Sequence, residues 1–196
     1  MPKVGMQPIR RQQLIDATIR TIARVGYADT TVGRIAKDAS LSVGIISHYF
    51  GGKQALLEAT MARVLFELHD AYLTKLQTTS NSRERLSAIV ATNFEEDQYQ
   101  PEVVRAWLAF WAQVPFSPKL KRLQYIYGRR LTSNISNDLR SLVPAHAISE
   151  GAQLFASLID GFWLRTATSA APPSLEQIRR IIESQIDTFI LAANSK

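Results

Sequence analysis

The sequence predicts an all-α protein in which a small N-terminal head of three helices is joined to a larger helical body. Three observations support this fold class. Apolar residues recur at helical spacing along nearly the whole chain, no segment has the alternating pattern of a strand, and two short helices meet across a tight turn within residues 30–56. The pattern gives about nine helices, with a helix-turn-helix domain at residues 1–52 and a second domain at residues 53–196.

The composition limits the class of protein and its partners. The chain has 196 residues, a net charge of +6 and no cysteine, which excludes disulfides, thiolate chemistry and the usual structural zinc sites. No apolar run is long enough to span a membrane or to form a signal peptide, so we expect a cytoplasmic protein with no membrane partner. Basic residues outnumber acidic ones in the first 52 positions, which suits contact with phosphates but equally suits a solvated basic surface.

The first helix is predicted from Ile9 to Val25, where apolar residues follow helical spacing until Gly26 ends the helix. It should brace the two helices that follow. In the first of these, one buried stripe consists of Val32, Ile35, Ala36 and Ala39. Thr30 or Thr31 can cap its start.

The second short helix is predicted from Val43 to Phe50, after a turn in which Leu41 packs between the helices and Ser42 caps the new start. Ile46 and Phe50 share the inward face. The outward positions are Val43, Gly44, Ile45, Ser47, His48 and Tyr49. An outward face with aliphatics and little charge suits the major groove of DNA, where small side chains allow close approach and polar ones bond base edges. A helical corner that binds no nucleic acid would show the same spacing.

The body begins with a long helix from Lys53, and its continuity could carry a small tilt from the body to the head. A rigid spacer is the simpler interpretation. The next helix, predicted at about residues 83–99, has Asn93 and Asp97 on its core-facing line. Buried polar groups need partners or a ligand, although exposure at the helix end would also explain Asp97.

Aromatic residues follow at helical spacing. After Pro101, one broad face carries Trp107, Phe110 and Trp111, and the helix after Pro118 carries Tyr127. Such stripes usually belong to a core. Two tryptophans one turn apart could also form the wall of a cage that accepts a cation.

The last two helices, at about residues 147–168 and after Ser174, are apolar over a wide arc. Ser174 and Gln177 fit a capping box. Two such helices from each of two chains would form a four-helix dimer interface, and a two-fold dimer is what a reader of palindromic half-sites needs. The predicted interface residues are Phe155, Ile159, Phe162, Ile178, Ile182, Ile186 and Phe189.

Nothing in the sequence indicates an enzyme or a metal site. His48, His69 and His146 are isolated and have no neighbouring set of metal ligands. The run Gly51-Gly52-Lys53 is not a phosphate-binding loop, because Gln54 stands where a Ser or Thr should hold magnesium. We therefore expect no catalytic residues and no cofactor.

The stretch from residue 26 to residue 56 resembles the signature of TetR-type repressors. The matching positions are Gly26, Thr31, Ile35, Ala36, Ala39, Leu41, Ser42, Gly44, Tyr49, Phe50, Lys53 and Leu56. Ser40 departs from the usual turn glycine, and Ser47 from a frequent tyrosine. The resemblance implies that the chain binds double-stranded operator DNA and that Thr31, Tyr49 and Lys53 contact its phosphates. The predicted DNA contacts are Thr31, Ser42, Val43, Gly44, Ile45, Ser47, His48, Tyr49 and Lys53.

Four separated segments resemble the BetI-type repressors within that family. These segments are MPKVGMQPIRRQQLIDAT, SVGIISHYFGGKQALLEATM, RAWLAFWA and SLIDGFWLR. The resemblance implies a homodimer that controls the genes of choline uptake and of its conversion to glycine betaine, an osmoprotectant, and that is relieved by choline.

Choline is a small quaternary ammonium, which is recognised by ring faces and by a carboxylate or carbonyl at a distance. Trp107, Trp111 and Trp163 supply ring faces, and Tyr127 and Asp160 are possible helpers; Asp160 could equally be a buried group satisfied by a helix neighbour. The predicted effector site consists of Asn93, Asp97, Trp107, Phe110, Trp111, Tyr127, Asp160 and Trp163. Two other classes stay open, namely a regulator of multidrug efflux that answers to bulkier cations and a non-regulatory helical interaction protein.

Overall fold

The computed structural model describes residues 6–96 and 99–195. Within these ranges the chain forms α-helices, one 3₁₀ turn and no strand, which confirms the all-α prediction. The helices are α1 (Met6–Val25), α2 (Val32–Asp38), α3 (Val43–Phe50), α4 (Lys53–Leu76), α5 (Ser82–Asn93), α6 (Pro101–Gln113), α7 (Pro118–Leu139), α8 (Ala145–Thr168) and α9 (Leu175–Asn194), with the 3₁₀ turn at Val114–Phe116.

The described residues divide into two compact units. The first runs up to Leu65 and also contains Pro101–Leu123, whereas the second contains the remainder, from Phe66 to Gln100 and from Gln124 onward. The predicted division into residues 1–52 and 53–196 stays a prediction. The units differ from it because α6 packs against α1 and therefore groups with the head.

The head has its own small core in the first unit. The core residues come from α1, α2, α3 and α4 and are exposed by 7% or less; they are Leu14, Ile15, Ala17, Ile35, Ala36, Ile46 and Leu56. Leu41 packs against this core between α2 and α3, as its position in the turn predicted. Thr31 is the residue that caps α2, and its hydroxyl accepts from the Arg34 amide at 3.2 Å.

Asp38 ties the end of α2 to α1. Its carboxylate accepts hydrogen bonds from the Thr21 hydroxyl and the Arg24 guanidinium, both at 3.0 Å. Burial would raise the pKa of Asp38, but these hydrogen bonds and the nearby arginine charges outweigh it and hold the pKa below its ordinary value. Helix α1 thus contacts the end of α2 and braces it, as predicted.

Ion pairs and aromatic contacts link the helices of the second unit to one another. Arg83 on α5 contacts Glu183 at 2.6 Å and Asp187 at 2.7 Å, both on α9. Arg85 bonds Asp138 on α7 at 2.7 Å, and this aspartate is 1% exposed. The charges of Arg83 and Arg85 thus each have a partner of opposite sign.

Helix α5 ends at Asn93 instead of continuing to Tyr99. Phe94 leaves the helical conformation with φ −126° and ψ 38°, and its carbonyl accepts from the Arg179 guanidinium of α9 at 2.9 Å. A side chain from a distant helix thus replaces the next helical turn as hydrogen-bond partner, which periodicity does not reveal. Asp97 lies outside the described residues.

Helices α8 and α9 cross closely in the second unit. The rings of Phe155 and Phe189 meet edge to face with centroids 5.5 Å apart. A Cβ atom added to Gly151 would lie 2.6 Å from the Phe189 ring, so only a glycine fits there. Ser174 and Gln177 form the predicted capping box at the start of α9.

This crossing buries most of the residues predicted for the dimer interface inside the single chain. The five residues exposed by 2% or less are Phe155, Ile159, Ile178, Ile182 and Ile186. Phe162 and Phe189 are half-buried. The five core residues have almost no surface left for a partner, because the inner stripe of each helix already packs within its own unit.

Candidate nucleic-acid interface and effector site

Helix α3 presents the predicted outward face. Ile46 is fully buried in the core of the head and fixes the rotation of the helix, whereas Val43 is 48% exposed. Gly44, Ser47 and His48 are exposed beside it. Ile45 and Tyr49, both predicted to face outward, are half-buried and pack against the head core. The exposed face of the helix is therefore narrower than predicted and consists of Val43, Gly44, Ser47 and His48.

The start of α3 differs from the prediction in one contact. Ser42 is the capping residue by position, but its hydroxyl makes no capping hydrogen bond and its side chain is exposed. The turn before it contains Ser40 with φ 55°, a left-handed conformation that favours glycine. Ser40 thus adopts the geometry of the glycine that the resemblance led us to expect.

Arg11 holds the end of α3 against α1. Its Nη1 donates to the Tyr49 carbonyl at 2.5 Å, and its guanidinium lies 4.2 Å from the centre of the Phe50 ring. A cation at the C-terminal end of a helix is favoured by the helix dipole. Arg11 was not among the predicted site residues, because α1 and α3 are far apart in sequence.

Lys53 lies at the start of α4, where two glycines with positive φ, Gly51 at 82° and Gly52 at 145°, turn the chain. Its Nζ donates to the Tyr27 carbonyl at 3.4 Å and lies 5.0 Å from the centre of the Tyr27 ring. The lysine is half-buried and held in position before any DNA contact. Burial, and then the charge of Glu58, raise the pKa of Tyr27.

The aromatic residues of α6 belong to the first unit. Trp107 is 5% exposed, Phe110 is 1% exposed, and the rings of Trp107 and Trp111 are 5.9 Å apart and tilted by 58°. The Nε1 atom of Trp111 is buried and has no hydrogen-bond partner among the described residues. These three residues therefore belong largely to the core, and the indole N–H of Trp111 is a donor without a described acceptor.

The other described effector candidates belong to the second unit. The Tyr127 hydroxyl donates to Asn93 Oδ1 at 3.4 Å, and Asn93 Nδ2 donates to the Ile89 carbonyl at 2.9 Å. Asn93 thus uses its amide within its own helix and positions the Tyr127 ring. Burial, followed by the charge of Asp160, raises the pKa of Tyr127, which identifies Asp160 as a neighbour of this ring.

Asp160 is a carboxylate in a poorly solvated position. Its Oδ1 atom is buried and has no hydrogen-bond partner in residues 6–96 and 99–195. Burial raises the pKa of Asp160 to about 6. Trp163 follows it by three positions on α8, on the same side of the helix, and is 5% exposed. The unit therefore holds a carboxylate, charged at neutral pH, beside aromatic rings.

Further aromatic rings complete this group. The Tyr99 ring meets the Trp163 ring at 5.1 Å and the Phe94 ring at 5.5 Å, and Phe94 also contacts Phe162 at 6.3 Å. The Tyr99 hydroxyl donates to the Phe162 carbonyl at 3.3 Å and forms a second hydrogen bond with Thr166. Phe94 and Tyr99 were missed because both lie outside a regular helix, where spacing carries no signal. We call Asn93, Phe94, Tyr99, Tyr127, Asp160, Phe162 and Trp163 the Asp160 cluster.

Clusters of metal-ligating side chains and membrane-spanning helices are absent from the part of the chain that the structure describes. No group of three or more His, Asp or Glu residues there is arranged to hold a metal ion. No described helix is long and apolar enough to cross a membrane.

Two protein families match this chain. Residues 14–60 match the family described as bacterial regulatory proteins, tetR family, and residues 82–191 match the family described as BetI-type transcriptional repressor, C-terminal. The first match covers the α2–α3 corner. The second covers the part that contains the Asp160 cluster.

Individual proteins agree with these matches. The HTH-type transcriptional regulator BetI of Escherichia coli O157:H7 is 48% identical over 174 residues, which are 88% of this chain and 89% of the relative. A putative transcriptional regulator from Pseudomonas aeruginosa PAO1 has a similar structure, with a TM-score of 0.83, 26% identity and coverage of 97% of this chain and 94% of that chain. A putative transcriptional regulator from Saccharomonospora viridis, in complex with choline, has a TM-score of 0.82 and 23% identity over 92% of this chain and 96% of its own.

Proposed function

The chain belongs to the TetR family of transcriptional regulators and carries a BetI-type C-terminal domain, and we propose that it acts as a homodimeric repressor that releases a palindromic operator when choline binds. It is a regulator and not an enzyme. Repression of choline uptake and conversion to glycine betaine is the corresponding physiological role, and the cytoplasm is the expected location.

The buried, unpaired Asp160 carboxylate among aromatic rings is the observation that carries the effector proposal. A quaternary ammonium cannot donate a hydrogen bond through its charge, so ring faces and a nearby anion are the groups that recognise it. A ligand with one positive charge would compensate Asp160 and contact the rings of Tyr127 and Trp163. The Saccharomonospora viridis regulator has choline bound, but at 23% identity that likeness shows the fold alone.

The operator contacts are assigned to the exposed part of α3 and its flanks. Val43, Gly44, Ser47 and His48 approach base edges, and Thr31, Ser42 and Lys53 contact phosphates. Ile45 and Tyr49 pack against the head core and so hold α3 in position. The exposed parts of their side chains can also contact DNA. In a two-fold dimer the two copies of α3 would read half-sites roughly 34 to 36 Å apart.

The dimer is assigned to the uncharged outer faces of α8 and α9. On α8 the face consists of Leu154, Ser157, Gly161 and Leu164, and on α9 of Ile181, Gln185, Thr188 and Leu191. Each set follows the spacing i, i+3 or i+4, i+7 and i+10, which places its members on one side of the helix. Leu164 is 47% exposed and Leu191 is 70% exposed. An Ile181→Arg variant should sediment as a monomer, and a persistent dimer would remove this face from the proposal.

The mechanism is a two-state equilibrium. Choline binds the state with the weaker operator affinity more tightly, so it shifts the population of dimers away from DNA. By linkage, operator DNA lowers the affinity for choline by the same factor. The size of the effect is limited by the difference in choline affinity between the two states.

Two binding experiments test the proposal. The first compares a duplex that the protein selects from a random library with unselected DNA at physiological salt; equal affinities would leave a non-specific helical protein. The second measures thermal stabilisation by choline and by bulky aromatic cations at equal concentration. Choline should raise the melting temperature more than the bulky cations do, whereas stronger stabilisation by the bulky cations would indicate a regulator of drug efflux.

A further inference from the structure

A second buried acceptor in the second unit has no partner. The Oε1 atom of Gln124 is buried and makes no hydrogen bond with any described residue, as is also true of Asp160 Oδ1. Folded proteins rarely leave buried polar atoms unpaired, because each one loses its hydrogen bonds to water without replacement. An orphaned acceptor therefore points to a group that the described chain does not itself supply.

Gln124 is close to the Asp160 cluster. It lies on α7 three positions before Tyr127, so the two side chains occupy the same side of that helix one turn apart. Tyr127 in turn neighbours Asp160 and hydrogen-bonds Asn93 at 3.4 Å. One unpaired acceptor therefore lies one helical turn from Tyr127, and the other is close enough to Tyr127 to raise its pKa.

The hydroxyl groups of Tyr127 and Tyr99 and the amide group of Asn93 already donate hydrogen bonds within the protein. The Tyr127 hydroxyl donates to Asn93, and the Asn93 amide donates to the Ile89 carbonyl at 2.9 Å. The Tyr99 hydroxyl bonds the Phe162 carbonyl and Thr166. A ligand that satisfies both orphaned acceptors therefore has to bring a positive charge for Asp160 and a hydrogen-bond donor for Gln124.

We propose that Gln124 accepts a hydrogen bond from a hydroxyl group of the effector, so that the site selects quaternary ammonium ions that carry a hydroxyl over those of the same shape that lack one. This inference rests on the proposed function, since it concerns the same site. In choline the ammonium group has no donor, and the single hydroxyl is the only donor available to Gln124. Gln124 then determines specificity, and Asp160 with the rings supplies the general attraction for cations.

The test is isothermal titration calorimetry on the full-length protein with choline and with propyltrimethylammonium, in which a methyl group replaces the hydroxyl. The wild type should bind choline more tightly by roughly 10-fold to 100-fold, the usual effect of leaving a buried polar group unpaired. Gln124→Met should weaken choline binding by a similar factor and leave propyltrimethylammonium binding within about twofold. Gln124→Glu, which keeps an acceptor oxygen, should retain the preference for choline.

The outcomes separate this inference from the proposed function. Equal binding of both cations by the wild type overturns the role of Gln124 and leaves the cation site standing. An equal loss of both cations in Gln124→Met, or a lower melting temperature that accounts for the loss, assigns Gln124 to structure and also overturns the inference. If the wild type binds neither cation, the effector proposal fails and the role of Gln124 fails with it.

Discussion

Asp160 is charged at neutral pH in a buried position, and this costs stability. Burial raises the pKa of its carboxyl to about 6 in the folded protein, so between its ordinary pKa and pH 6 the folded chain binds a proton that the unfolded chain has lost. The contribution of this group to the free energy of unfolding therefore falls as pH rises through that range and stays low above it. A bound cation would reverse the loss.

The Asp160→Asn variant tests this balance. At pH 7.5 its free energy of unfolding, measured by urea denaturation, should exceed that of the wild type by about 1 to 2 kcal/mol, because no buried charge remains. Its choline affinity should drop at least tenfold. Wild-type choline affinity should weaken as the pH falls from 7 to 5, whereas the residual binding of the variant should not change. A destabilised variant would show that Asp160 has a partner in the native protein, and a variant that binds choline normally would remove Asp160 from the choline site.

Ser40 is a second residue whose conformation predicts the effect of a substitution. Its φ of 55° is a left-handed conformation, which is sterically unfavourable for a residue with a Cβ atom. Ser40→Gly should raise the free energy of unfolding by about 1 kcal/mol, measured by chemical denaturation, since the glycine fits this turn without strain. Ser40→Ala is the control and should bring no such gain. An unchanged or lower stability for Ser40→Gly would mean that the serine hydroxyl makes a compensating bond.

Sequence reasoning located some of the cluster residues and missed others for identifiable reasons. Asn93 was found because a polar residue interrupted an apolar helical stripe, and the structure does bury it. Tyr99 and Phe94 were missed because the end of α5 is set by Arg179, 85 positions away from the Phe94 carbonyl it binds. Gln124 gave no signal, since a glutamine within a polar stretch of a helix is ordinary until its burial is known.

Helices α8 and α9 depend on a glycine at their crossing. Gly151→Ala would place a Cβ atom 2.6 Å from the Phe189 ring and 2.9 Å from Leu139. We expect a loss of about 1 to 3 kcal/mol in the free energy of unfolding, as for other overpacked sites. Gly128→Ala on α7, where nothing lies within 4 Å, is the matched control and should be neutral or stabilising. Equal effects of the two substitutions would show that the crossing relaxes freely.

Helix α3 and the start of α4 should contribute to DNA binding in different ways. Lys53→Ala should weaken binding to all sequences and reduce the slope of log K against log salt by about one unit, because one phosphate contact is lost. His48→Ala should change the preferred bases with little effect on that slope, since His48 is exposed in the last turn of α3. If the slopes of the two variants exchanged, their roles would have to be exchanged as well.

At the level of elements, periodicity predicted which helices exist more reliably than what covers their faces. The inward rotation of α3 followed from Ile46, and the capping box of α9 followed from Ser174 and Gln177. The apolar arcs of α8 and α9 were assigned to a partner chain, but five of their seven residues are exposed by 2% or less within one chain. A sequence shows that a face is apolar, and only the packing shows whether the same chain already covers it.

For the molecule as a whole, the two compact units hold different parts of the proposed activity. The first contains the α2–α3 corner with Lys53, and the second contains the Asp160 cluster and the outer faces of α8 and α9. Regulation requires that choline binding in one unit change operator affinity in the other. That coupling is the central claim, and the match to BetI-type repressors supports it.

The most direct test is the dissociation constant of the dimer for its selected operator duplex, measured by fluorescence anisotropy at physiological salt with and without saturating choline. We predict that choline weakens operator binding by at least tenfold in the wild type. At a choline concentration that saturates the wild type but not the variant, the effect on Asp160→Asn should be much smaller, and the operator affinity of this variant without choline should be normal. An operator affinity that is the same with and without choline in the wild type would contradict the account.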